Sequence, residues 1–384
     1  MLLLVYQPLA NYTPGLTAFG DFPYFYTLAQ QADQGKLIYR DYWYEQPPII
    51  GLLLQGAYLA TESHGGDFST YTVLLVIVLT AFDAGNLLLL RRIGTRLYGP
   101  AVGIGLAWVY MLLAIPLIDS FWTFDCIVAF FTLLAVNWLL AGRQISSALA
   151  NSLGALTKLV PLLLLGAVWR FRPAREALRY TAISGTITVA GLGAILLIGG
   201  PYGVPSLTAQ FTKASAETVW ALMDGNYKTG NFSANHFDPA EAARLQGNPP
   251  AIPAWLRTGV FAAIGLFIFL RTRRRDARGV VAFVAITFAL FCLWSANWSP
   301  QWLVWIIPLA LLNFPDFNGL LLCVTVSLVS LVEYPLLFAH TTGEIPHSSV
   351  PLFALLVSAR TVLLAGFALS LYRKLRIPIV ESEG

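Results

Sequence analysis

Side chains able to move a proton or hold an anion fall in a few short stretches of this sequence. Carboxylates come first: Asp21, Asp33, Asp41 and Glu45, with Lys36 and Arg40 among them, then Asp119 and Asp125. A carboxylate set beside a hydroxyl can take its proton as a general base. Arg40, Lys158, Lys213 and Lys228 are cations that could hold an anion. His236 and Gln301 can bind a phosphate or a hydroxyl. Gln301 and Trp302 follow Ser299–Pro300, a helix-start signal whose free N–H groups suit an anion. The plainer reading of that start is an interfacial helix with a belt tryptophan.

Several of these charges interrupt apolar runs. Asp125 opens one, Lys158 sits in GALTKLVP, and Glu333 lies late in another. Charges at membrane depth are costly and are functional candidates by default. The ordinary alternative is a structural ion pair or a side chain reaching for the interface. Asp83, beside Asn86 in AFDAGN, reads as a buried contact between helices.

The elements that position these groups follow from composition. The chain has 384 residues, 57% hydrophobic and 11% charged, where soluble domains carry roughly 25% charged. It is therefore an all-α polytopic membrane protein, a bundle of about 10–12 transmembrane or re-entrant helices. Strand-like alternation is absent, which argues against a β-barrel. The net charge of +4 is gathered into clusters between apolar runs: Arg91/Arg92/Arg96, Arg170–Arg179, Arg271–Arg278 and Arg373–Arg376. That pattern marks cytoplasmic loops, not a nucleic-acid partner. Cys126, Cys292 and Cys323 lie in apolar runs and read as packing residues.

Spans are expected near 72–90, 101–118, 122–140, 180–199, 253–270, 279–296, 301–314, 317–338 and 351–371. The loops 16–71 and 201–252 then fall on the non-cytoplasmic side, and the C-terminus on the cytoplasmic side. Residues 145–171 are too few for two crossings, yet Arg143 and Arg170 belong to one side. They predict a re-entrant pair of short helices turning near Lys158 and Pro161. IIGLLLQGAYLA (49–60), after YRDYWYEQPP, predicts a partly immersed helix; a true span is the alternative. MLLLVYQPLA is too short to span, so the first helix either starts within the bilayer or is clipped by the recorded start. Leu207, Phe211, Ala214, Thr218 and Leu222 predict one amphipathic helix on the surface. The rings of the first loop, including Tyr44, suit either an interfacial belt or sugar stacking.

Five stretches occur in order: GDFPYFYTLAQ, GKLIYRDYWYEQPPIIGLLL, IDSFWTFDCIVAF, GALTKLVPLLLLG and SPQWLVWIIPL. Over residues 19 to 311 this series resembles the GT-C superfamily of polytopic glycosyltransferases. The nearest likeness is to polyprenyl-phosphate-mannose-dependent mannosyltransferases and the catalytic subunit of the first GPI mannosyltransferase. The resemblance implies a polyprenyl-phosphate sugar donor, a lipid-linked or glycan acceptor, membrane lipids as surroundings, and a plasma-membrane location. It implies Asp21 as general base, with Asp41 and Glu45 as alternatives. Arg40, Tyr44, Asp119, Asp125, Lys158, Lys213, His236, Gln301 and Trp302 are the expected substrate-binding groups. No cofactor is required; a divalent cation is compatible, although Phe22 and Pro23 stand where relatives often carry a second acid.

A transporter also needs buried charges and broken helices, but no repeat pairs the two halves of this chain. A lipid-linked saccharide polymerase or ligase would share the topology and the acidic outer loops. A purely structural membrane subunit would not need so many ionisable groups on one face.

Overall fold

The computed structural model describes residues 21–62, 66–113, 123–230, 232, 234–338 and 343–377. Asp119, MLLLVYQPLA and the start of the 16–71 loop lie outside them. Among the described residues, six helices are long and apolar enough to cross a membrane, and five shorter apolar helices accompany them. Among the described residues the only β pairing is isolated bridges, so the all-α polytopic expectation holds.

α1 (Phe22–Ala29) begins after Asp21, with Pro23 in its first turn, where a missing N–H costs nothing. α2 (Pro48–Glu62) begins at the second proline of YRDYWYEQPP. α3 (Phe68–Tyr98) is capped by Asp67, whose carboxylate accepts from the Thr70 N–H at 2.6 Å. α4 (Pro100–Leu112) returns against it. A Cβ at Gly103 would come within 2.6 Å of the Arg91 carbonyl oxygen, so only glycine allows this approach. Tyr110 on α4 donates to Asp83 on α3 at 2.7 Å, the interhelical contact expected of Asp83.

α5 (Asp125–Leu140), α6 (Gln144–Ala155), a 3₁₀ turn (Val160–Leu163), α7 (Leu164–Phe171) and α8 (Ala174–Ile198) form the next unit. Residues 144–171 are a helical hairpin. Gln144 at its start reaches Glu176 at the start of α8, and Arg172 just past its end donates to the Leu139 carbonyl. Both ends therefore lie at one end of α5, while Lys158 at the tip reaches Asp125 at the other. Sixteen residues of α5 separate those levels by roughly 24 Å. Polar contacts hold the hairpin: Ser147 to the Ala135 carbonyl at 2.7 Å and Asn151 to Ser184 at 3.0 Å. Each such bond between helices contributes about 0.6–2 kcal/mol in a membrane.

α9 (Gly203–Thr212) and α10 (Val219–Asp224) replace the single amphipathic helix expected over 207–222. Lys213 is extended and Glu217 takes φ 55°. The cause is tertiary pairing. Ala216 donates to the Ala296 carbonyl at 3.1 Å, and Trp298 donates back to the Ala216 carbonyl at 3.0 Å. These bonds satisfy backbone groups that a helix would have used.

α11 (Ala254–Arg271) and α12 (Ala277–Trp294) follow. Burial of their apolar windows is 11% and 61%, so α11 faces lipid while α12 is central. Every residue of α13 (Leu303–Asn313) is buried, as a helix apolar on all sides must be. α14 (Phe317–Leu331) runs into a π-helical turn carrying Glu333, and α15 (Val350–Arg376) closes the bundle.

The basic clusters meet at one end. Arg96 donates to the Asn137 carbonyl, Arg278 to Leu97, Arg275 to Arg170, and the Arg273 and Arg274 N–H groups to Leu375. α2 does not reach this end. Its Ile49 N–H bonds Leu156 near the hairpin tip, and Tyr26 bonds Gly66 just beyond its far end.

Candidate active site

The end opposite the basic clusters gathers the charges that interrupt the apolar runs. Asp125 stands in the first turn of α5, fully buried. Lys158 donates to its Oδ1 at 2.9 Å and Oδ2 at 3.3 Å, and the Trp305 indole N–H donates to Oδ1 at 2.8 Å. Lys158 Nζ also lies 5.5 Å from the Trp302 ring centre and 5.6 Å from that of Phe124. A buried ion pair is tolerable only with such added donors and faces. The pair is set by the hairpin, which lifts residue 158 to the level of residue 125.

Asp21 sits at the head of α1, within the electrostatic reach of that pair. Among the described residues its carboxyl caps no N–H of α1 and forms no ion pair. It keeps some accessible surface, yet protein surrounds it. Burial, reinforced by the negative charge of Asp125 and opposed by Lys158 and Lys213, pushes its pKa up to about 6.

Glu45 is buried as well, and burial pushes it up to about 7. Tyr24 donates to its two oxygens at 2.9 and 3.1 Å and lies 3.3 Å from His236 Nε2. His236 Nδ1 is 2.9 Å from the Trp43 carbonyl. A carbonyl can only accept, so Nδ1 carries the hydrogen and Nε2 of the neutral ring is an acceptor. Burial lowers the pKa of His236 and keeps it neutral. Trp43 stacks on His236 with ring centres 4.1 Å apart, and its indole donates to the Asp238 carbonyl at 3.0 Å. The aromatic run of the first loop is thus packed into the 232–243 segment. Tyr42, Trp43 and Tyr44 are all fully buried.

Arg40 and Asp41 stand apart from this cluster. They pair at 2.7 Å with side chains 49% and 32% exposed, and Asp41 also accepts from the Leu37 N–H. The Arg40 guanidinium beside it holds the Asp41 pKa below the usual carboxylate range. Lys213 lies near the cluster, 4.4 Å from the Phe232 ring centre. Trp302 is buried and Gln301 partly exposed, in the 3₁₀ turn leading into α13. Lys228 bridges to Glu344 through the backbone.

Four residues passed over in the sequence belong here. Trp305 completes the Asp125 site, and Asn297 faces Lys213 across Gly230. Arg360, fully buried on α15, pairs with Glu333, donates to the Glu217 carbonyl and stacks on Trp298 at 4.3 Å. Arg360 carried a readable signal, a charge inside VPLFALLVSARTVLL. Glu217 carried none, because its role comes from a left-handed backbone.

The described residues hold no group of three His, Cys, Asp or Glu side chains able to hold a metal. A model of glycosyltransferase family 87 matches residues 47–296, more than half of the chain and the stretch carrying Asp125, Lys158, Lys213 and His236. No curated protein matches the chain.

Proposed function

Because the chain belongs to glycosyltransferase family 87, we propose that it moves a hexose from a polyprenyl-phosphate carrier to a hydroxyl of a lipid-linked or glycan acceptor. Membership of the family and the six long apolar helices make it a membrane glycosyltransferase. The donor, the sugar (mannose, by the sequence resemblance) and the acceptor are our inference.

One observation carries the reading: an enclosed carboxyl, Asp21, whose pKa burial raises to about 6, lies within the electrostatic reach of Lys158 and Lys213. The acceptor oxygen attacks the anomeric carbon. The bond from that carbon to the phosphate oxygen breaks, and its electron pair leaves with the phosphate. Asp21 takes the acceptor's proton. A carboxylate of raised pKa is a stronger base than usual and is still ionised at neutral pH. The nearby lysines favour the negative charge that grows on the leaving phosphate.

The basic end belongs in the cytoplasm by the positive-inside rule. On this reading the reaction takes place on the non-cytoplasmic side of the plasma membrane, and the C-terminus is cytoplasmic. The test is transfer by purified protein in nanodiscs, given a radiolabelled polyprenyl-phosphate hexose and an extract of acceptor lipids. Label should pass to the acceptor fraction with wild type and not with Asp21→Asn. Counterflow of free sugar in liposomes without transfer would replace the enzyme with a transporter.

A further inference from the structure

Two cations act electrostatically on Asp21, and they differ. Lys158 is already committed to Asp125 and screened by Trp302. Lys213 feels Glu45, Asp21 and Glu217, yet among the described residues it forms no ion pair with any of them. Burial lowers the pKa of its ammonium, so it gains most from an anion brought to it. Beside it the side-chain oxygen of Asn297 is buried without a hydrogen-bond partner among the described residues. Between them lies Gly230. A Cβ there would stand 3.0 Å from both Lys213 Nζ and Asn297 Oδ1, so the absence of a side chain keeps this corner open. Among the described residues, a cation held only against the Phe232 ring, beside an acceptor without a donor, calls for a ligand with a negative oxygen next to a hydroxyl.

We infer that Lys213, Gly230 and Asn297 form the seat of the donor's glycosyl-phosphate junction, Lys213 taking a phosphate oxygen and Asn297 accepting from a sugar hydroxyl. This rests on the glycosyltransferase reading above. It assigns phosphate recognition to Lys213 and leaves Lys158 as the partner that holds Asp125. The three surrounding carboxylates repel free phosphate. They favour a ligand whose charge is delivered next to Lys213 by an anchored lipid tail.

The experiment measures binding of a short-chain polyprenyl monophosphate in detergent, with the phosphate-free polyprenol as control, alongside the transfer assay. Removing one charge-assisted partner should weaken phosphate-lipid binding roughly 10- to 100-fold in Lys213→Ala, with polyprenol binding unchanged. Gly230→Ala removes no charge but fills the corner and pushes on the end of Lys213, 2.7 Å from the new Cβ; it should raise the KM for the sugar-bearing donor with little change in kcat. Asn297→Ala should raise the donor KM while leaving monophosphate affinity near wild type. Monophosphate affinity of wild-type strength in Lys213→Ala, with the protein folded by size-exclusion profile, overturns the inference while the enzyme reading stands. Absence of transfer by wild type, with Lys213-dependent phosphate binding intact, overturns the enzyme reading and keeps the site.

Discussion

Lys158 Nζ lies 2.9 Å from Asp125 Oδ1, joining the tip of a helical hairpin to the first turn of α5. The contact ties the hairpin tip to the level of Asp125, and it holds a buried carboxylate within the electrostatic reach of Asp21. The surrounding aromatic residues, Phe124, Trp302 and Trp305, cover the Asp125 side of the pair.

Breaking that pair from one side strands a charge. Asp125→Asn or Lys158→Met should each destabilise the protein by about 3–5 kcal/mol. The double variant should lose less than the sum, by at least about 1 kcal/mol. Thermal melts of the four proteins in one detergent measure the coupling, and strict additivity would show that the two side chains do not act as a pair.

Asp21→Asn should lower turnover at least ~100-fold while donor binding stays near wild type. Asp41→Asn should stay within a few-fold of wild type, because Asp41 is exposed and held by Arg40. Single-turnover rates and donor binding on the same preparations separate the cases. Near-normal turnover in Asp21→Asn would move the base to Glu45, another enclosed carboxyl of this end, one not held in an ion pair among the described residues.

The pH dependence has two opposite signs. As a base, Asp21 works only when ionised, so kcat/KM should rise with pH through about 6 and level off above it. Stability should run the other way. Asp21 goes from 3.8 to about 6 and Glu45 from 4.5 to about 7. Both folded values are raised, so the stability they contribute is full below about pH 4 and is lost as pH rises through 6 and 7. For Glu45 alone the full swing is on the order of 3 kcal/mol. Melting temperatures from pH 5 to 8.5 should fall in wild type and flatten in Asp21→Asn/Glu45→Gln; identical slopes would remove the assignment.

Single cysteines at exposed Arg40 and Arg244 should react with an impermeant maleimide added outside intact cells. Cysteines at Arg175 and Arg273 should react only after the membrane is opened. The natural cysteines are all buried, so background labelling should be low. Labelling of Arg40 and Arg175 from the same side would reverse the proposed orientation.

The membrane class, the long helices and the convergence of the basic clusters were legible in the sequence. Each depends on local composition: apolar length sets a span, and arginines between spans mark a side. That residues 145–171 turn back on themselves was legible by arithmetic, since too few residues lay between two clusters of like side. Asp125 and Lys158 were both visible as charges at membrane depth. That they bind each other was not, because helix period and hydropathy say nothing about which faces of two helices meet. The same limit hid Trp305 and Asn297, whose partners lie 180 residues away along the chain or across a glycine. It also explains the helix wrongly expected over 207–222. Spacing of apolar residues favoured a continuous helix, but backbone pairing of Ala216 with Ala296 and Trp298 drew that segment out of it. Local pattern determined which segments are helices in a membrane. Only the tertiary packing decided that Asp21 is enclosed within the electrostatic reach of Lys158, which is paired to Asp125, and of Lys213, which forms no ion pair among the described residues, since burial and charge neighbours are properties of the assembled bundle and of no single stretch.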